Sequence, residues 1–324
     1  MFLTTSAPAK VILFGEHAVV YKQPALAVPV SSLRVTASIS PHDRFQIIAS
    51  DIQQEITSET LETQFDNALI RMTRLVLAHF KAKPPTVRIE LHSQIPIASG
   101  LGSGAAVSAA LGRAVAAALQ TDLTNDALNA MVYEIEQSHH TYPSGIDNTV
   151  IVYEQPVYFI RDTTLQTFQV SQPVRLLIAD TGISAPTAAA VEDVRALFNR
   201  SPEEVQTIFE AIGKIVQQAK SALESADISE LGRLALLNHE LLQRLTVSSK
   251  ELDHLVDAAV RAGAVGAKMS GGGRGGNLIA FAHPEQLAQV HEALMQAGAS
   301  RVIETTIQPS PSIPFTDTTE SASE

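Results

Sequence analysis

The chain has 324 residues, a length that suggests two domains. Hydrophobic residues make up 45% and charged residues 18%, the balance of a globular enzyme with a large core, and the absence of cysteine excludes disulfides and thiol catalysis. A formal charge of −11, from 34 acidic against 23 basic residues, disfavours nucleic acid and anionic lipid as general partners.

The N-terminal segment has no basic leader, and its apolar run is cut short by Gly15-Glu16-His17, so it does not read as a signal peptide. The stretch 104–119 is mostly alanine, carries Arg113, and is too short and weakly apolar to span a bilayer. A cytoplasmic protein without membrane contact is expected, and the lack of cysteine fits a reducing compartment. In chain order, β-branched or alternating runs predict strands over 11–14, 32–40 and 87–91. Helices are predicted over 61–80, 104–119 and 124–138, the second with Val107, Ala110, Leu111, Ala114, Val115 and Ala118 on one stripe, the third capped by Thr124. Strands follow at 157–160 and 174–179. From 186 to 262 the pattern is helical, with Ser201-Pro202-Glu203-Glu204 as a helix start. Strands return at 264–269, 278–281 and 302–306, with a helix over 284–296. The class is α+β, divided into residues 1–170, residues 171–307, and a Pro/Ser/Thr-rich acidic tail, 308–324, expected to be disordered.

Chemistry concentrates in four segments. Pro96-Ile-Ala-Ser99-Gly100-Leu101-Gly102-Ser103-Gly104-Ala105-Ala106 follows a strand and opens a helix. Its glycines let backbone N–H groups converge at a helix N-terminus, which suits an anion without any lysine. The competing reading is a turn that packs a small-residue helix on a sheet. No Gly-Lys-Ser/Thr follows, so it is not a Walker loop. Gly100, Gly102 and Ala105 match the loose dinucleotide pattern, but Pro96 separates the loop from its strand and Asp122 is no ribose-binding acid at the end of a second strand. The segment 266–277 packs five glycines into positions 271–276, more than a hairpin requires; it reads as a close approach to a ligand or as a mobile surface loop. In Pro8-Ala9-Lys10, a lysine ends an apolar strand and needs either a partner or a route to solvent. Glu136-Gln-Ser-His139-His140-Thr-Tyr-Pro143-Ser144-Gly145-Ile-Asp147 ends in a tight turn that presents Asp147, a residue that taken alone is more often a turn or cap residue than a catalyst. His139 and His140 are adjacent, point apart and have no second ligand cluster, which argues against zinc.

In this order and spacing, over about residues 8–280, the segments resemble the family of galactokinase, homoserine kinase, mevalonate kinase and phosphomevalonate kinase. Gly15-Glu16-His17-Ala18-Val19-Val20-Tyr21 is closest to the mevalonate-phosphorylating branch, Pro143–Asn148 looks like the family's Asp motif, and Gly266-Ala267-Lys268 with its glycines looks like its third motif. The resemblance implies a ribosomal-protein-S5-like N-terminal domain, a ferredoxin-like C-terminal domain and an active site in the cleft between them. It implies ATP phosphates on Pro96 and Ser99–Ala106, covered by Gly271, Gly272 and Gly273, and phosphorylation of mevalonate. Asp147 would be the general base and Lys10 its electrostatic partner. Glu136, with Ser103, would hold Mg2+. Glu16, His17 and Thr187 would line the acceptor end, where Arg161 would meet a carboxylate. Dimers are common in the family, which leaves a homodimer open. The chain departs from the family pattern at Gly104, where a serine is usual, at Lys22 for glycine, at Gly272 and Asn277 for alanine and cysteine, and at Glu154-Gln155-Pro156 for a glycine pair.

Overall fold

A computed structural model describes residues 3–63, 67–96, 99–139, 145–161, 163, 166–184 and 187–309. The expected tail lies outside the described residues from 310 onward.

The first sheet is built around two long strands, β1 (Leu3–Phe14) and β2 (Ala25–Pro41), paired antiparallel from Leu3 opposite Ile39 to Phe14 opposite Leu26. Their ladder is irregular between Pro8 and Ala9, where proline has no amide hydrogen to donate. β3 (Gln46–Ala49), β4 (Gln54–Thr57), β5 (Val87–Ser93), β6 (Val157–Phe159) and β7 (Gln166–Thr167) complete the sheet in the order β4-β3-β5-β2-β6-β7. Among the described residues only β3 and β5 pair in parallel. The second sheet, β11-β8-β10-β9, is antiparallel throughout and uses β8 (Val174–Asp180), β9 (Gly266–Ser270), β10 (Asn277–Phe281) and β11 (Arg301–Ile307). Helices join β8 to β9 and β10 to β11, a β-α-β-β-α-β succession of the ferredoxin-like kind.

Helices α1 (Ser58–Thr63), α2 (Ala68–His79), α3 (Ser103–Ala118), α4 (Asn125–His139) and α5 (Ile146–Tyr153) accompany the first sheet. α3 lies against β1 and β2 and touches α2, α4 and α5. Its alanines explain this centrality, because small side chains let the sheet and three helices approach one helix. α6 (Thr187–Arg200), α7 (Pro202–Glu224), α8 (Ile228–Arg244), α9 (Lys250–Arg261) and α10 (Leu287–Gln296) accompany the second. Pro202 occupies the first turn of α7 and Thr124 Oγ1 accepts from Ala127 N at 3.3 Å ahead of α4, as their sequences predict.

Other expectations change. The helix expected over 61–80 is two helices, because Asn67 is extended and its side chain accepts from the amides of Leu69 (2.8 Å) and Ile70 (3.4 Å). Such a cap satisfies orphan donors and starts a new helix. β1 begins eight residues before the expected 11, and α10 begins at Leu287 and not at 284. The β3–β4 hairpin, α5 and β7 were not anticipated.

One polar cluster ties together the far ends of β1, α3 and α5. Arg113 of α3 donates to the carbonyls of Ser6 and Val152, both at 2.7 Å, and to Glu154 Oε1 at 2.8 Å. Arg34 of β2 meets both Glu154 oxygens at 3.1 and 2.9 Å and Ser6 Oγ at 3.0 Å. Glu154 has φ 53°, a left-handed conformation that costs a side-chain-bearing residue energy, and the two arginines hold it there. Arg113→Leu is expected to lower the unfolding free energy by about 2 kcal/mol, since it takes the guanidinium donor from the Ser6 and Val152 carbonyls and one of the two arginines from Glu154; denaturant titration measures this.

Candidate active site

The site starts at Lys10. It sits in the buried part of β1, is 4% exposed, and its Nζ lies 2.8 Å from Asp147 Oδ1. Asp147 stands in the first turn of α5, after Gly145 at φ 85°, where the helix N-terminus favours a carboxylate. The backbone N–H of Lys10 donates to the carbonyl of Leu101 at 3.0 Å, so the same residue holds the first glycine loop. Within that loop Gly102 has φ 74°, and a Cβ there would lie 2.8 Å from Ile151 Cδ1 and 2.9 Å from Lys10 Cγ. No side chain fits between the catalytic-looking lysine and α5. Ser99 Oγ closes the loop onto the carbonyl of Pro96 at 2.9 Å, and Ser103, Gly104, Ala105 and Ala106 form the first turn of α3 with its outward amides.

Glu136 of α4 faces the same place. Burial pushes its carboxyl up to about 7, the nearby Asp147 charge adds to this, and Lys10 opposes it. A Cβ on Gly104 would come 3.6 Å from Glu136 Oε1, ordinary contact distance, so Gly104 leaves an open position between loop and carboxylate.

The second glycine-rich turn, 271–276, reaches this group from the other sheet. Gly273 has φ 81°, and a Cβ there would overlap the carbonyl of Val247 at 1.9 Å. Gly271, by contrast, has open space beside it. Ser270 Oγ donates to the carbonyl of Ile12 at 2.7 Å, the His17 ring nitrogen Nε2 donates to the carbonyl of Gly272 at 3.0 Å, and Asn277 Nδ2 donates to the carbonyl of Ser99. His17 must therefore carry its proton on Nε2. Its pKa falls to about 4, mainly because burial disfavours the cation, with Arg274 and Lys268 adding positive charge nearby.

Glu16, expected at the acceptor end, is buried at 1% exposure and forms an ion pair with Lys268, which is fully buried in β9. Lys268 Nζ also donates to the carbonyl of Met269 at 2.5 Å and lies 5.7 Å from the Phe14 ring centroid. Burial raises Glu16 and lowers Lys268, while the attraction between them opposes both shifts. Behind β9, His239 Nδ1 accepts from Met269 N at 3.3 Å and its Nε2 donates to Asp253 at 3.1 Å.

Arg161 lies apart from this polar core, on a cavity of about 400 Å3 lined by Val20, Tyr21, Arg161, Arg195, Phe198 and Asn199. Arg195, which sequence reasoning missed, puts a second guanidinium on the same wall. Thr187 begins α6, the helix that carries Arg195 and Phe198. Lys268 was named in the third motif but given no role, although a lysine between Ala267 and Met269 in an apolar strand is the same signal that exposed Lys10. Among the described residues no group of three or more His, Cys, Asp and Glu side chains could hold a metal, and no helix is long and apolar enough to cross a membrane.

Two sequence profiles match this arrangement: GHMP kinases N terminal domain over residues 67–155 and GHMP kinases C terminal over residues 219–300. The mevalonate kinase of Pyrococcus furiosus is 36% identical over 323 residues, covering 94% of this chain and 96% of the relative. That of Pyrococcus abyssi is 35% identical over 317 residues, covering 92% and 93%. The crystal structure of L. major mevalonate kinase in complex with R-mevalonate is similar at a TM-score of 0.81 and 29% identity, over 96% of this chain and 97% of that one. The chain belongs to the GHMP kinase family, and it is a kinase with N- and C-terminal domains of mixed α and β structure. The first profile spans the loop 99–106, Glu136 and Asp147, while Lys10, Glu16 and His17 precede it.

Two outcomes are expected here. Lys268→Met, which leaves Glu16 buried without a partner, should cost about 3–5 kcal/mol, and Glu16→Leu combined with it should recover most of that loss; thermal or denaturant unfolding of the three proteins decides. His17 stays neutral in the folded protein down to about pH 4, whereas an unfolded histidine takes up its proton near its usual 6.5. The unfolded state then binds more protons, so stability falls as pH drops from about 6.5 towards 4. His17→Asn should flatten that slope in a series of melting curves against pH.

Proposed function

We propose that the chain transfers the γ-phosphoryl group of ATP to the 5-hydroxyl of mevalonate. The observation that carries this reading is the Lys10–Asp147 pair, 2.8 Å apart beside a glycine loop at a helix N-terminus. The substrate of the relatives at 35–36% identity favours mevalonate as the acceptor.

Asp147 accepts the proton of the acceptor hydroxyl. Lys10, paired with Asp147 at 2.8 Å, holds the carboxylate in place and stabilises negative charge growing on the alkoxide oxygen. That oxygen forms a bond to the γ-phosphorus as the bond to the β,γ-bridging oxygen breaks, and ADP leaves. Backbone N–H groups of Ser99–Ala105 hold the ATP phosphates, with Ala106 behind them donating its N–H to the Gly102 carbonyl at 3.0 Å, and Gly271, Gly272 and Gly273 cover them. His17, on the carbonyl of Gly272, positions that cover, and Thr187, at the start of α6 with its side chain outside the described part of the structure, would line the acceptor end.

Family membership implies a divalent cation. The residues fit one: Glu136 and Asp147 put two carboxylates close enough to raise Glu136, and Gly104 leaves room beside Glu136 Oε1. Glu136 and Ser103 would hold Mg2+, with nucleotide oxygens and water as its remaining ligands. The ion supplies neutralisation of phosphate charge when bound. Arg161 and Arg195 would pair with the mevalonate carboxylate, a role for which two guanidinium forks on an aromatic-walled cavity are suited.

A coupled ADP-release assay with Mg-ATP and mevalonate, phosphomevalonate, galactose or homoserine tests this. Turnover is expected with mevalonate, and Asp147→Asn should lower it by about 10²–10⁴-fold; because it removes the charge opposite Lys10, thermal unfolding checks that the variant is folded under the assay conditions. Turnover with another acceptor would retain the mechanism and replace the substrate. No turnover with any acceptor would overturn the proposal.

A further inference from the structure

The two glycine-rich segments meet, and one side chain joins them. Asn277 opens β10 directly after the second glycine turn, is 2% exposed, and donates Nδ2–H to the carbonyl of Ser99 in the first. The backbones on both sides lie at ordinary contact distance. A Cβ on Gly276 would lie 3.9 Å from the Ser99 carbonyl oxygen, and one on Gly100 would lie 3.9 Å from Asn277 Nδ2. The amide has only one workable orientation, because a carbonyl can accept but not donate, so nitrogen must face Ser99. Asn277 Oδ1 is then left buried without a hydrogen-bond partner among the described residues. That burial is costly, and an apolar residue would avoid it. Strand pairing does not require the side chain, since the backbone of Asn277 is already in register with Ser270 and Asp180.

We propose that Asn277 is a positioning residue that fastens the second glycine turn to the phosphate loop, so that the nucleotide meets one preassembled surface contributed by both sheets. The inference rests on the reading of both glycine segments as the nucleotide site. A surface whose two halves are already joined loses less freedom when ligand binds, and that saving appears as affinity. The acceptor cavity lined by Arg161 and Arg195 does not include residue 277. Asn277 therefore acts on the nucleotide and not on the acceptor.

The test compares wild type with Asn277→Asp, which sets an acceptor against the Ser99 carbonyl at unchanged shape, and Asn277→Ser, which is too short to reach it. ADP affinity is measured by calorimetric titration, KM is measured separately for ATP and for mevalonate, and folding is checked by thermal unfolding. Both variants should bind ADP about tenfold more weakly and raise the KM for ATP to a similar degree. The KM for mevalonate, and kcat at saturating ATP, should stay within about twofold of wild type. If Asn277→Asp does not fold, Asn277→Ser decides. Unchanged ADP affinity in a folded variant overturns the proposal, as does an equal rise in both KM values, the mark of general loosening. A wild type that binds no ADP overturns the nucleotide reading and this inference with it; a wild type that binds ADP, with variants that bind it equally, overturns this inference alone.

Discussion

An ammonium group inside a strand is a demand that the surrounding structure has to meet. Lys10 is 4% exposed in the middle of β1, and a lone charge there would cost several kcal/mol. Asp147 meets that demand, and the need to bring it there shapes the neighbourhood. α5 must begin at residue 146, with Gly145 in a left-handed conformation to turn the chain into it. Gly102 must lack a side chain so that α5 and Lys10 can close on each other. The peptide N–H of Lys10 holds Leu101, and one residue thereby aligns strand, glycine loop and carboxylate. At the opposite ends of the same elements, Arg113 and Arg34 gather around Glu154 and Ser6, so β1, α3 and α5 are fixed at two separated points.

The second sheet is attached to this assembly by polar contacts that are few and buried. Lys268 with Glu16, Ser270 with Ile12, His17 with Gly272 and Asn277 with Ser99 all run from the β9–β10 region to the end of β1 or to the first loop. Apolar contact is tolerant of small slips, whereas a buried ion pair or amide is satisfied in one alignment only. The polar contacts set the register in which the two glycine segments face each other, and the hydrophobic core around them supplies the bulk of the stabilisation.

Much of the architecture was legible because it is local. Proline and acids at 202–204, Thr124 before α4, and the alanine stripe of α3 declare their helices through contacts within a few residues. Apolar runs such as 174–179 declare strands in the same way. The elements that escaped are those decided elsewhere. The break at Asn67 follows from a capping bond inside an otherwise helical pattern. α5 has eight residues, too few to show a period, and it is held by Arg113 from a helix about 40 residues away in sequence.

Residue type and spacing alone picked out the candidate residues: a lysine in an apolar strand, an acid after a tight turn, and two runs of glycine denser than a turn requires. They could do so because they state which chemistry is affordable at each point. The partnerships came from the packing of the two sheets. Glu16 turns to Lys268 across 252 positions, Asn277 to Ser99 across 178, and Arg161 shares its cavity with Arg195. Such pairings depend on how two sheets meet, and no pattern within one strand or helix carries that distance.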